Sequence, residues 1–412
     1  MRRLMRHRDA RIYLTGQTLS TIGDSALWLA MGIWVKILTH SNAAAGLVLF
    51  FVVAGISLAP VTGVIVDRVR RRPLSAGANL VAAALVCALL LVHGRGEVWL
   101  IYVVMFGYGV LTALLTSAQT ALVPSLVPED LLGEANTMLQ VGSQGMRIFT
   151  PLIGAGLLAW AGAAPVILLD AGTFVAAACC LAALSLREPR PEPTGSTWWT
   201  DLTAGVRYTR DTQVLRKLMV TTVLALIVIG FMETISFAIV SEGLHKRPPF
   251  LGVLVALEAA GAIAGAVVVP ALMKRLGEVL TIAAAIVLIG AASLLMITSS
   301  LAVVLTGSAV LGASIMFANV TAITLIQRRT RPGLMGRVDA ALTFASTGPQ
   351  AISIAVGAAL IAVVSYRLLL ASIAAMMVVA CAYWLTGQSR SPSPAEPETV
   401  PVACAAQSGA AK

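Results

Sequence analysis

Long apolar runs, broken at short intervals by basic or turn-forming residues, make up most of the chain. A bilayer core of about 30 Å takes about 20 helical residues to cross. The runs that reach such a length are 11–38, 43–66, 73–92, 98–122, 135–160, 164–186, 217–241, 250–273, 278–298, 301–326, 338–363 and 366–386. Inside hydrocarbon every backbone polar group must be paired within its own segment, so these runs predict helices, numbered here spans 1 to 12. None alternates with a period of two, which argues against a membrane β-barrel.

Two stretches break the pattern. Residues 187–216 begin Arg187-Glu-Pro-Arg-Pro-Glu-Pro and continue into an amphipathic piece from Trp198 to Lys217. Residues 387–412 are rich in Pro, Ser and Ala, a composition that cannot bury enough apolar surface to fold. The expected organisation is a first six-helix bundle over 1–186, a cytoplasmic linker over 187–216, a second bundle over 217–386 and a disordered cytoplasmic tail over 387–412.

Composition strengthens the membrane reading. Hydrophobic residues make up 58% of the 412 residues and charged residues 12%, about half the charge of an ordinary soluble domain. The net charge of +10 does not point to nucleic acid, because the basic residues cluster between spans. With twelve spans and both ends cytoplasmic, 23 of the 29 Lys and Arg residues fall on the cytoplasmic side. Outside segments hold Lys36, Arg95, Lys246, Arg247 and Arg367, and Arg147 falls within span 5. That asymmetry sets the orientation. The basic N-terminus is followed by an apolar run too long for a signal peptide, and is read as the flank of span 1.

Cys87, Cys179, Cys180, Cys381 and Cys404 show no metal-binding or disulfide spacing, and the four histidines are scattered. No metal site and no cofactor is expected. No phosphate-binding loop of the Walker type is present, so neither ATP-driven transport nor an enzyme is indicated.

The chain also repeats itself. Leu131-Leu132-Gly133-Glu134-Ala135-Asn136 aligns with Leu334-Met335-Gly336-Arg337-Val338-Asp339 at an offset of 203 residues, which also pairs Gly145 with Gly348 and Gly154 with Gly357. Parallel six-helix halves with a substrate site between them are a known transporter architecture. The expected fold class is therefore an all-α polytopic membrane protein, twelve transmembrane helices in two pseudo-symmetric six-helix bundles.

Between spans 2 and 3 the chain reads Gly63-Val-Ile-Val-Asp67-Arg68-Val-Arg70-Arg71-Arg72. This resembles the cytoplasmic loop motif of the major facilitator superfamily, with Arg70 where that motif has Gly. Leu19-Ser-Thr-Ile-Gly23-Asp24, Gln327-Arg-Arg with Gly336-Arg337-Val338, and the Trp198–Lys217 piece resemble the bacterial drug-exporter branch that includes macrolide efflux proteins. The resemblance implies two bundles rocking about a central cavity. It also implies a cytoplasmic gate from Gly63, Asp67, Arg68, Arg71 and Arg72, with Asp67 facing the start of span 11. In span 5, Gly145, Pro151 and Gly154 form a degenerate version of an antiporter motif. The intramembrane arginine that many proton antiporters carry in span 4 is missing, and Arg147 is placed to substitute for it.

An ionisable group at membrane depth is costly and so marks a candidate site. Asp24 lies near the middle of span 1, with Gln17, Ser20, Thr21 and Trp28 on its face. It reads as a proton acceptor or a contact for a cationic substrate, against a plain hydrogen bond to a neighbouring helix. Glu233 in span 7 and Glu258 in span 8 are further candidates, against packing roles. Arg147 reads as a switchable or fixed partner of Asp24 or Glu258. Asp170 in span 6 reads as structural. Tyr102, Phe106 and Thr116 on span 4, with Trp28 and Phe237, offer an aromatic cavity lining or helix packing.

The leading expectation is a monomeric, proton-coupled exporter of small amphipathic molecules, antibiotics or other natural products, in a bacterial cytoplasmic membrane. An outside proton loads Asp24 or Glu258, and substrate displaces it from the inward-facing state. Siderophore or metabolite export, solute uptake, and a non-transporting sensor or lipid-handling protein are the alternatives.

Overall fold

The structure is a computed structural model that describes residues 7–126, 131, 146, 149–185, 207–210, 212–329 and 335–386. Arg147, Gly145, most of the expected linker and the expected tail lie outside the described residues, as does the side chain of Asp67.

Among the described residues nine helices are long and apolar enough to cross a membrane, and two shorter apolar helices cover Phe149–Ala161 and Thr347–Leu360. One of the nine, Pro248–Leu295, has 48 residues. At ~1.5 Å per residue it would be about 72 Å long, more than twice the hydrocarbon thickness. Its backbone breaks at Gly277, with φ 79° and ψ 170°. Only glycine adopts that conformation without strain. Val269 and Ala285, each eight residues from Gly277, fall in one packed cluster with Phe317. The chain therefore turns back at Gly277, and this segment is spans 8 and 9.

The remaining spans follow the expected order. Span 1 is Arg8–Thr39, closed by His40 in the left-handed conformation. Span 2 is Asn42–Ile56 continued by Ala59–Arg68. Ser41 caps its start by accepting from the amide of Ala44 at 3.2 Å. The break at Ser57 and Leu58 precedes Pro60, whose ring cannot fit a continuous helix. Span 3 is Arg71–Leu91, its last turn tightened to a 3-10 helix. Span 4 is Val98–Leu126, span 6 Ala163–Ala182, span 7 Gln213–Ala238, span 10 Leu301–Arg329, span 11 Met335–Leu360 and span 12 Tyr366–Leu385. Span 5 is described over Phe149–Ala161.

Large apolar side chains point outward, among them Trp160, Val363, Leu368 and Val378. Water would not tolerate that coat, and lipid does. Between helices the contacts are made by small residues. The backbone of Gly261 abuts Ala309, Gly265 abuts Ala313, and Gly312 abuts the carbonyl of Glu258. Such contacts let spans 8 and 10 approach to backbone distance, where dispersion replaces the hydrophobic effect as the attraction.

The pairings repeat. Span 1 packs on span 6, span 3 on span 6 and span 2 on span 4. In the second half span 7 packs on span 12, span 9 on span 12 and span 8 on span 10. The halves meet where span 2 crosses spans 7 and 11, and where Gly252 of span 8 lies against Pro151 and Ala155 of span 5.

A side chain at Gly277 would meet nothing within 4 Å, so replacing it tests the backbone alone. Gly277→Ala is expected to cost about 1–3 kcal/mol through the disfavoured φ. The check is a lower thermal melting midpoint of the purified protein in detergent.

Candidate functional site

Span 1 turns Asp24 toward spans 4 and 6. The hydroxyl of Tyr108, about five turns before the end of span 4, donates to Asp24 Oδ1 at 2.6 Å. Ser20, one turn earlier on span 1, donates to Oδ2 at 3.4 Å. Tyr108 is buried and meets Phe174 of span 6 edge-on, with ring centroids 6.0 Å apart.

A second carboxylate lies beside the first. Asp170 of span 6 is 0% exposed, and neither of its carboxyl oxygens has a hydrogen-bond partner. One of those oxygens lies against Gly23, where any side chain would collide with it and with Thr173. Asp170 therefore packs against the residue next to Asp24, and the two interact electrostatically with each other and with Tyr108. Two carboxylates in a medium this dry repel strongly unless a proton is shared between them.

Asp24 opens onto a cavity of about 70 Å³ inside the first half. Span 1 lines it with Tyr13, Gln17 and Ser20, span 3 with Ser75 and Asn79, and span 4 with Thr112, Thr116 and Gln119. No Lys, Arg or His is among its lining residues. A larger cavity of about 240 Å³ lies between spans 7, 9 and 10. Its lining includes Ile282, Ile315, Ala318, Asn319 and Ala322. Those positions are each 203 residues beyond Asn79, Thr112, Leu115, Thr116 and Gln119 of the first cavity. The repeat read from the sequence thus recurs in three dimensions, with a polar lining in one half and a largely apolar one in the other.

The sequence candidates divide accordingly. Gln17 and Thr116 join Asp24 in its cavity. Trp28 lies one turn beyond Asp24, its buried indole N–H without a hydrogen-bond partner. Tyr102 faces span 2 instead, donating to the carbonyl of Ala44 at 3.0 Å and stacking on Phe51 at 5.1 Å. Phe106 is partly exposed. Phe237 is buried against Gly32, in the contact between spans 7 and 1. Glu233 and Glu258 lie in the second half, outside both cavities. Gly154 packs on the carbonyl of Ala26, two residues past Asp24, and so brings span 5 close to the site.

In the basic loop, Arg72 donates to the carbonyls of Leu181 at 2.9 Å and Ala182 at 2.6 Å. A guanidinium there satisfies orphan carbonyls at the end of span 6 and complements its dipole. Arg68 is exposed, and Gly63 has open space around it.

Several residues at the site carried no weight in the sequence reading. Tyr108 and Asn79 are single polar residues in apolar runs, and depth alone could have flagged them. At the opposite end from the basic loop, Asn42 of span 2 donates to Glu242 Oε1 at 2.6 Å. Ser241 donates to Asn42 Oδ1 at 3.3 Å. A π-helical turn over Ile239–Gly243 presents Ser241 and Glu242 to Asn42, and Lys36 lies within electrostatic reach of Glu242. These contacts close that end between the halves.

Comparison with known proteins agrees with this architecture. Macrolide efflux protein A of Enterococcus faecalis is 25% identical over 289 residues, 68% of this chain and 88% of that protein. Macrolide efflux protein A of Streptococcus pyogenes is 24% identical over 334 residues, 78% of this chain and 82% of that protein. Among solved structures, a bacterial homologue of the iron transporter ferroportin in an inward-facing state superposes with TM-score 0.72 at 17% identity, covering 92% of this chain and 98% of that one. The nucleoside transporter NupG superposes with TM-score 0.72 at 11% identity, covering 92% of this chain and 98% of that one. The family model of the Major Facilitator Superfamily matches residues 13–354. The chain is a multi-pass membrane protein of the Major Facilitator Superfamily, a family of transporters rather than enzymes.

Proposed function

We propose that the protein exports small amphipathic molecules from a bacterial cytoplasm by proton antiport, with Asp24 as the proton-carrying group. The observation that carries this reading is the buried pair of Asp24, which accepts from Tyr108, and Asp170 beside it, with no basic side chain among the described residues that line the adjoining cavity. Two carboxylates so placed repel unless at least one is neutral, so Asp24 can exchange a proton while Asp170 keeps one. Binding and release of that proton change the charge of the first half at the level where the halves rock. The named activity of the relatives, macrolide efflux, supports export as the direction and amphipathic compounds as the substrate class.

The geometry supports an alternating cycle. With Asn42 bonded to Glu242 and Phe237 seated on Gly32, the outer end is shut and substrate enters from the cytoplasm. Substrate entry favours the deprotonated form of Asp24, and the proton leaves to the cytoplasm. Rocking then parts the outer contacts and closes the basic loop, where Gly63 has room to accept a neighbour. Outside, substrate leaves and a proton returns to Asp24. In this reading the chain works as a monomer with both ends cytoplasmic, and the bundles are residues 1–186 and 217–386, joined by 187–216.

Two experiments test the cycle. In proteoliposomes, a panel of macrolides and amphipathic cations should be moved against a gradient only while a pH difference is maintained. Asp24→Asn should lower that uphill flux at least tenfold and leave downhill exchange at equal pH measurable; uphill flux that survives collapse of the pH difference would falsify the coupling. Asn42→Ala removes a hydrogen bond to a partly exposed carboxylate, about 1 kcal/mol or roughly a fivefold change in the ratio of states. Spin labels at Ile37→Cys and His245→Cys should then report a larger share of long distances by pulsed electron resonance.

A further inference from the structure

The cavity beside Asp24 lies inside one half of the protein, whereas substrate in a rocking transporter passes between the halves. Its walls come from spans 1, 3, 4 and 6 alone. Rocking closes the basic loop at the end where spans 1 and 3 begin, so the cavity reaches the cytoplasm only while the outer end is shut.

We infer that this cavity is a water-filled path by which protons pass between Asp24 and the cytoplasm, separate from the route of the substrate. The inference rests on the reading of Asp24 as the proton carrier and adds how the proton reaches it. Three observations support it.

The first is chemistry. Polar side chains facing the inside of a helix bundle at membrane depth are expensive unless they have partners or water. In the second half the equivalents of Asn79, Thr112 and Gln119 are Ile282, Ile315 and Ala322. Helix packing in this fold does not demand polar groups at these positions, since the other half packs without them.

The second is size. A cavity of about 70 Å³ is large enough for about two waters at ~30 Å³ each, and each water needs two to four polar partners. Gln17, Ser20, Asn79 and Gln119 supply them, and Asn79 already donates to the carbonyl of Ser75 at 2.7 Å.

The third is direction. Tyr13 lies near the start of span 1, Ser75 in the second turn of span 3 and Gln119 near the end of span 4. All belong to the end that carries the basic loop. The lining therefore runs from that end to Asp24, about 16 Å along span 1 at ~1.5 Å per residue from Tyr13. Among the described residues the titratable groups facing Asp24 are Tyr108 from span 4 and Asp170 from span 6; span 3 contributes the neutral Ser75 and Asn79. On release, the proton leaves the Asp24 carboxyl for a cavity water. The carboxylate left behind keeps the hydrogen bonds from Tyr108 and Ser20.

Infrared spectroscopy of the purified full chain in lipid nanodiscs reads this without any substrate. Asp24→Asn should remove one carboxylic-acid C=O band, and transfer to D2O should shift that band in the wild type at a measurable rate. The double variant Asn79→Leu with Gln119→Leu should slow the shift at least tenfold; an unchanged rate overturns the path while leaving Asp24 as proton carrier. A spectrum from which Asp24→Asn removes no band overturns the coupling role and the path with it. A second measurement covers the case in which the double variant does not fold. In a background free of cysteine, Asn79→Cys should react with a small water-soluble thiol reagent, and the reacted protein should show the same slowing. An Asn79→Cys thiol as inert as one placed at fully buried Ile101 overturns the path.

Discussion

Hydrocarbon cannot hydrogen-bond, and that constraint organises the whole molecule. It obliges each span to pair its backbone internally, so the spans are helices. It removes the hydrophobic effect as an attraction between helices, so Gly261, Gly265 and Gly312 bring spans 8 and 10 to backbone contact instead. It also makes every polar side chain at depth expensive. Asp24, Tyr108 and Asn79 carry that cost around one cavity, with Asp170 buried beside Asp24.

The two halves share a scaffold and differ in chemistry. Their helix pairings correspond, and five cavity positions correspond at the same offset of 203 residues. One cavity is polar and ends on a carboxylate; the other is broad and mostly apolar. The shared architecture therefore does not set the chemistry of either lining, which the side chains at the five positions decide. The functional proposals draw on that asymmetry and not on the symmetry.

Contact between the halves is concentrated at one end. Asn42, Ser241 and Glu242 join there through directional hydrogen bonds, and Phe237 fills the space over Gly32. A closure of this kind, a few polar contacts and one aromatic ring, is far smaller than the packing within either half. The close crossings of span 8 with span 10, and of span 5 with span 1, are backbone contacts within a half.

Much of this was legible in the order of residues alone. Apolar run length gave twelve crossings, including the turn between spans 8 and 9 that a continuous helix assignment hides, and basic residues gave the expected orientation. Asp24 stood out because one charge in a long apolar run has no ordinary explanation. What the sequence could not determine is which helix lies opposite which. Helical periodicity assigns a face to each residue, but a face is not a neighbour. Tyr108 is 84 residues from Asp24 and Glu242 is 200 from Asn42, and only packing brings them within a hydrogen bond. For the same reason Tyr102 read equally as cavity lining or helix packing, and Asp170 as structural; the tertiary structure turns the first toward span 2 and sets the second beside Asp24.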